Sequence, residues 1–270
     1  MHKKQEDREK TYLELIQRFC LLDDAFMAAV FQDNLECVDL VIQIILNNPN
    51  LHATKTITQD TIKNLHGHSV RLDIHAFADG QEFNIEIQRA AEGASERRAR
   101  YNSSIMDANA LETGADYEKL PESYVIFITE TDVLKLGQPL YIIKRAIRGA
   151  DVAFDDGSHI IYVNASITDT TTPLGKLMHD FRCTRPEEMY YDILAKHTGY
   201  FKVDGKGDKK MSTQAEKLLK TLREEMIESE RLSSIRAIMK NLEFTAEKAM
   251  DTLSIPKAEQ GHYKALLQQQ

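Results

Sequence analysis

Asp73 and Glu86 are two acids that a hairpin would bring face to face. They lie in RLDIHAFADGQEFNIEIQ, from Arg71 to Gln88, which reads as two strands joined at Asp79-Gly80. Asp-Gly is a strong two-residue hairpin signal, because both turn positions of the favoured type need positive φ. With that pair as the whole turn, Ala78 faces Gln81, Phe77 faces Glu82, Asp73 faces Glu86 and Arg71 faces Gln88. Side chains alternate between the two faces of a strand. One face then carries Leu72, Ile74, Ala76 and Ala78 beside Phe83, Ile85 and Ile87, all apolar. The other carries Asp73, His75 and Phe77 beside Glu82, Asn84, Glu86 and Gln88. Opposed β-carbons are about 4.5–5.5 Å apart, so two carboxylates placed there repel unless a cation lies between them. A divalent metal ion suits, since hard cations take carboxylate oxygen ligands. The plainer account is a half-exposed hairpin whose polar face is solvated, with His75 packed for structure.

The spacing Asp-x12-Glu-x-Gln, with a helix before the hairpin and an Arg-bearing helix after it, resembles the PD-(D/E)XK nuclease superfamily. Within it, the likeness is to the recombination-promoting nuclease and PD-(D/E)XK family transposase group. The words that carry it are DDAFMAAVF at 23–31, LDIHA at 72–76, FNIEIQRA at 83–90, RRARYNSSIM at 97–106, GADYEKLPESYVIFI at 114–128 and GKLMHDFRC at 175–183. The resemblance implies a metal-dependent DNA endonuclease, with Asp73 and Glu86 binding Mg²⁺ or Mn²⁺ and the backbone carbonyl of Ile87 as a further ligand. Gln88 stands where the pattern has lysine; its amide can orient a water but brings no charge. The family helix before the hairpin often delivers an acid to the metal, and Glu36 is the candidate here, against the reading of an exposed acid favoured by the helix dipole. Asp24, inside a family word, receives no chemistry. Arg97, Arg98 and Arg100 are the candidate DNA contacts, because a guanidinium can donate two parallel hydrogen bonds to a phosphate.

The elements that must position these residues can be read from pattern. Helices are expected at 6–22, 24–31 and 33–47, the last stopping before Pro49. A Thr- and Ile-rich strand follows at 55–63, then the hairpin, then a helix of about five turns from Ala90 to Leu111. SYVIFITE, 123–130, is a continuous apolar run of the kind a buried strand shows. The order is the αβββαβ core that the resemblance also implies, an α/β fold of restriction-endonuclease type. Further strands are expected in PLYIIKRAI and HIIYVNAS, then two helical pieces broken at Pro186. Lys144, Arg145 and Arg148 read as a solvent-facing basic cluster, and His179 as structural.

From Thr198 to Ser212 the composition shifts to Gly, Lys and Asp, which marks a flexible connection. The expected division is 1–200 for the nuclease-like domain and 201–270 for a helical C-terminal region. Thr213 and Glu216 read as a capping box opening a long amphipathic helix, followed by a short helical hairpin around Pro256. That helix is the candidate surface for a homo-oligomer or a partner helix.

A chain of 270 residues can bury one sizeable core and carry a smaller appendage. Its net charge of −8 argues against a generally basic nucleic-acid binder. Cys20, Cys37 and Cys183 are odd in number and widely spaced, which points to buried thiols in a reducing compartment. No run approaches membrane-spanning length and the start lacks a signal-peptide core, so the expected location is cytoplasmic. Two readings compete with the endonuclease: a catalytically silent DNA-binding or regulatory module on the same fold, and an assembly protein acting through its C-terminal helix.

Overall fold

The computed structural model describes residues 16–64, 67–150, 152–203 and 209–268. The chain divides into two compact units, Met1–Ala215 and Glu216–Gln270. The first holds a six-stranded sheet in the order β1-β2-β3-β4-β6-β5. Its elements are α1 (Asp24–Phe31), α2 (Leu35–Leu46), β1 (Ala53–Ile62), β2 (Val70–Ala78), β3 (Gln81–Gln88), α3 (Glu96–Ala110), β4 (Ser123–Thr129), β5 (Leu140–Ile143), β6 (Ser158–Asn164), α4 (Pro173–Arg182) and α5 (Asp192–Val203). β1 to β3 form an antiparallel meander, β4 and β6 run parallel to β3, and β5 is an antiparallel edge. From α2 to β4 the order is αβββαβ.

Local chemistry explains most boundaries. Asp79 (φ 48°) and Gly80 (φ 77°) make the β2–β3 turn, and Phe77↔Glu82, Ala76↔Phe83 and Ile74↔Ile85 pair in the register that turn imposes. Helix α2 begins where Asn34 accepts a hydrogen bond from the Cys37 amide, and ends at left-handed Asn47, ahead of Pro49. The helix expected from Ala90 to Leu111 is split. A 3₁₀ turn, Ala91–Ala94, comes first, and α3 starts only at Glu96 because Ser95 caps it by accepting from the Arg98 amide.

Helix α3 covers one face of the sheet, where Ala99, Ile105 and Met106 pack with Val70, Leu72, Val125, Phe127 and Tyr162. Ile74, Ile85, Ile126 and Ile128 are equally buried on the other face, and α1 and α2 pack against β1 and β2. Phe26, Met27, Val30 and Phe31 of α1 and Val38, Val41 and Ile42 of α2 supply much of that core. The segment GKLMHDF is architectural: buried Asp180 accepts from the amides of Tyr190 and Tyr191, just ahead of α5, and His179 stacks edge-on to Tyr190. Cys20, Cys37 and Cys183 are free and buried.

The expected flexible stretch 198–212 is largely helical. Helix α5 runs to Val203 with Thr198 fully buried, and α6 (Lys209–Leu242) starts four residues before Thr213, which therefore opens no helix. Residues 204–208 lie outside the described residues, as does most of the helix expected at 6–22. In the second unit, α6, α7 (Ala246–Thr252) and α8 (Lys257–Gln268) enclose Ile235, Ala249, Met250, Ile255 and Tyr263. Among the described residues, no helix is long and apolar enough to cross a membrane.

Candidate active site

The hairpin is regular up to Ile74–Ile85 and then opens. Asp73 and Glu86 do not form a ladder pair. Instead Oδ2 of Asp73 accepts a hydrogen bond from the amide of Ile87 at 2.9 Å, so the side chain takes the place that a backbone carbonyl would have had. The β1–β2 ladder is also interrupted here, skipping Gln59 (φ 55°), whose amide reaches Asp73 Oδ1 at 3.4 Å. Beyond this break the expected alternation fails. Leu72 and Val70 join the core under α3 with Val125 and Phe127, whereas Ile74 shares the opposite face with Ile85.

Glu86 is fully buried. Its Oε2 accepts from Arg98 Nη2 at 2.6 Å and its Oε1 from the Asn102 amide at 3.3 Å. Burial raises the Glu86 pKa, the charge of Asp73 raises it further, and Arg98 opposes both. Asp73, 6% exposed, is held above the usual carboxylate range first by burial, against the Ile87 hydrogen bond, with Asp24 adding repulsion and Arg98 and Arg71 relieving it. Two buried acids both held above their usual range are short of positive charge. Among the described residues, no three His, Cys, Asp or Glu side chains converge on one point.

A cleft of about 450 Å³ opens beside the pair, lined in part by Asp24, Arg71, Asp73, Gln88, Arg98 and Tyr101. Gln88, at the end of β3, is half-buried. Its amide rests against Gly93 in the 3₁₀ turn, so closely that a β-carbon on Gly93 would collide with Oε1. Arg98 Nη1 donates to the Gly93 carbonyl at 2.7 Å, which ties the same turn to Glu86. Tyr101 closes the rim, its hydroxyl donating to the carbonyl of His68 at 2.5 Å.

The three candidate arginines separate. Residues 98, 101 and 102 lie on one helical face, and only Arg98 of the three reaches the cleft; Arg97 and Arg100 are exposed on α3 away from it. Glu36 is likewise not at the cleft. It is exposed in the first turn of α2, where its charge is felt by Cys37 and His197. The acid that comes from the preceding helices is Asp24, in the first turn of α1, whose pKa is raised by desolvation against the pull of Arg71. The two neighbouring aspartates divide their duties: Asp23 accepts from the Cys20 amide and pairs with Arg89 at 2.8 Å, which leaves Asp24 to the cleft. The DDAF word was the available signal, but nothing local in it says which acid turns inward.

Residues 39–171, which contain β1 to β6 and the whole of α3, match the family model described as PD-(D/E)XK nuclease family transposase. This segment belongs to that family. The mixed α/β architecture, a six-stranded sheet with flanking helices and further helices at the C-terminal end, agrees with a PD-(D/E)XK nuclease fold. Membership supports a nuclease or transposase-like function. No curated protein and no solved structure matches the chain.

Proposed function

We propose that this chain is a metal-dependent DNA endonuclease of recombination-promoting, transposase-like type. The observation that supports the reading most is the buried carboxylate pair, Asp73 and Glu86, short of positive charge beside a cleft that also holds Gln88 and Arg98. The donor set fits a hard divalent cation, Mg²⁺ or Mn²⁺, which takes oxygen ligands. Asp73 and Glu86 would hold it, with the backbone carbonyl of Ile87 as a further ligand, and Asp24 lines the same cleft. When bound, such an ion polarises a phosphate and lowers the pKa of a coordinated water.

The chain's own residues do the rest. The Gln88 amide has both donor and acceptor atoms, so, held against Gly93, it can orient an attacking water. It adds no charge to the transition state, where lysine would. Arg98 keeps Glu86 compensated, and the Ile87 amide fixes the rotamer of Asp73. Arg97 and Arg100 are left for the flanks of a bound duplex.

Incubating the purified protein with supercoiled plasmid and Mg²⁺ or Mn²⁺ tests the reading directly. The parent should nick or linearise the plasmid, and Asp73→Asn should not. One contact favours the rival reading of a catalytically silent DNA-binding module: the Arg98 guanidinium already supplies Glu86 with a cation at 2.6 Å. Duplex binding by the parent without cleavage under either ion would select that reading.

A further inference from the structure

We infer that Arg71 is the residue that grips a substrate phosphate in the cleft, and that Arg98, for all its closeness to the carboxylates, is not. The inference rests on the endonuclease reading and adds a substrate-binding residue to it.

Both arginines line the same cleft, Arg71 from β2 and Arg98 from α3. Their situations differ in one physical respect. Arg98 is committed at both terminal nitrogens, through Nη2 to Glu86 at 2.6 Å and through Nη1 to the Gly93 carbonyl at 2.7 Å, and its guanidinium lies 5.7 Å from the centre of the Phe127 ring. Glu86 is 0% exposed, so turning Arg98 toward a ligand would leave a buried carboxylate without its cation, which is strongly unfavourable. Arg71 is exposed, and among the described residues its side chain has no hydrogen bond or ion pair. Its charge is nonetheless close enough to ease the carboxyls of both Asp24 and Asp73. A guanidinium fork that is near the reacting centre and uncommitted is the group best placed to take a phosphate in two parallel hydrogen bonds.

Charge bookkeeping points the same way. With a divalent cation seated, Asp24, Asp73, Glu86 and Arg98 together come to neutrality. Arg71 then supplies the single positive charge that matches the single negative charge of a phosphodiester. Without it, the cleft would offer the phosphate no net attraction.

The test uses the full chain, a fluorescently labelled DNA duplex and Ca²⁺ in place of Mg²⁺, so that binding is read without turnover. Anisotropy is followed across a salt series. Loss of one phosphate contact lowers the slope of log K against log salt by about 0.9. Arg71→Ala should show that drop and bind roughly tenfold more weakly. Arg71→Lys should keep the slope, because the charge remains, while recovering only part of the affinity. Calcium affinity, measured by calorimetry without DNA, should be equal or tighter in Arg71→Ala, since a repelling charge has gone. An unchanged slope and affinity for DNA in Arg71→Ala would overturn the inference. So would a parallel loss of calcium affinity, which would make Arg71 a structural support. A parent that binds no duplex at all would overturn the endonuclease reading along with it.

Discussion

Glu82 and Glu86 stand four residues apart on β3, both buried, and meet opposite fates. Near the turn, Glu82 Oε1 lies 2.8 Å from His75 Nε2, while Asp60 Oδ2 lies 2.6 Å from His75 Nδ1. A carboxylate at each ring nitrogen favours the protonated imidazole, in which both nitrogens donate. Burial works against that charge, but the hydrogen bonds to Glu82 and Asp60 outweigh it and raise the His75 pKa. Three strands are thereby stitched together by an acid–base–acid cluster that supplies its own compensating charge. At the other end of the hairpin, Glu86 is held by Arg98, and Asp73 lines a cleft. A buried carboxylate is therefore no mark of function in itself. On the proposed reading, what separates the two clusters is whether the compensating cation is built into the fold or must come from outside.

The sharpest way to break this comparison is to neutralise one acid from each cluster. Asp73→Asn should lower plasmid cleavage by about a thousandfold or more and remove measurable binding of Mn²⁺, because half the carboxylate pair is gone. The same substitution of chemistry at the other end, Glu82→Gln, should leave cation affinity alone. It should instead destabilise the fold by about 3 kcal/mol in a urea titration, as expected when one partner of a buried ion pair is removed. Equal effects on Mn²⁺ affinity from both variants would mean that the two clusters act as one.

Next in size is the support of Gln88. Gly93→Ala should push the Gln88 amide from its place and slow cleavage roughly ten- to a hundredfold, as misplacement of an orienting group does. Mn²⁺ affinity should stay as in the parent, because the carboxylates are untouched. Restoring room with Gln88→Ala in the Gly93→Ala background should make matters no worse; an additive further loss would show that Gly93 acts through something else.

The smallest expected effect is on pH dependence, and the signs can be fixed. Asp73, Glu86 and His75 all have raised folded-state pKa values, so each contributes stability present below its unfolded pKa and lost as pH rises through the folded one. For the two acids the loss begins near the unfolded carboxylate range, about 4, and for His75 near about 6.5. In metal-free protein, Glu86→Gln should remove the lower part of the decline in Tm and His75→Gln the upper part. Adding Mg²⁺ should abolish the lower part only. A decline in Tm above about 4 that Glu86→Gln leaves unchanged would contradict the assignment of the Asp73–Glu86 pair.

How much of this was legible beforehand differs from element to element. The hairpin was, from the turn to Ile74 and Ile85, because a two-residue Asp-Gly turn admits one register and period-two alternation assigns the faces. The buried strand at 123–129 was equally plain, since the apolar run Val125, Ile126, Phe127 and Ile128 at its centre belongs inside. The arginines were not. The buried side of α3 carries large apolar residues only in its second half, Ile105 and Met106; beside the arginines it is built of Ala99, Asn102 and Ser103, small or polar residues that do not fix the rotation of the first turns. Which of Arg97, Arg98 and Arg100 would reach the cleft therefore depended on the sheet beneath.

The sequence by itself determined what is encoded locally: the turn, the register, the carboxylates thirteen residues apart on the strands it joins, and the order of the elements around them. Tertiary structure alone decided which acid from the helices joins them, Asp24 and not Glu36, because both begin helices and only packing tells which helix end meets the hairpin. It also decided that the hairpin opens at Asp73, where the side chain competes with the backbone for the Ile87 amide. That competition is between groups on different strands. Its outcome is set by burial and by the charges gathered around it, neither of which a pattern of residues along one chain contains.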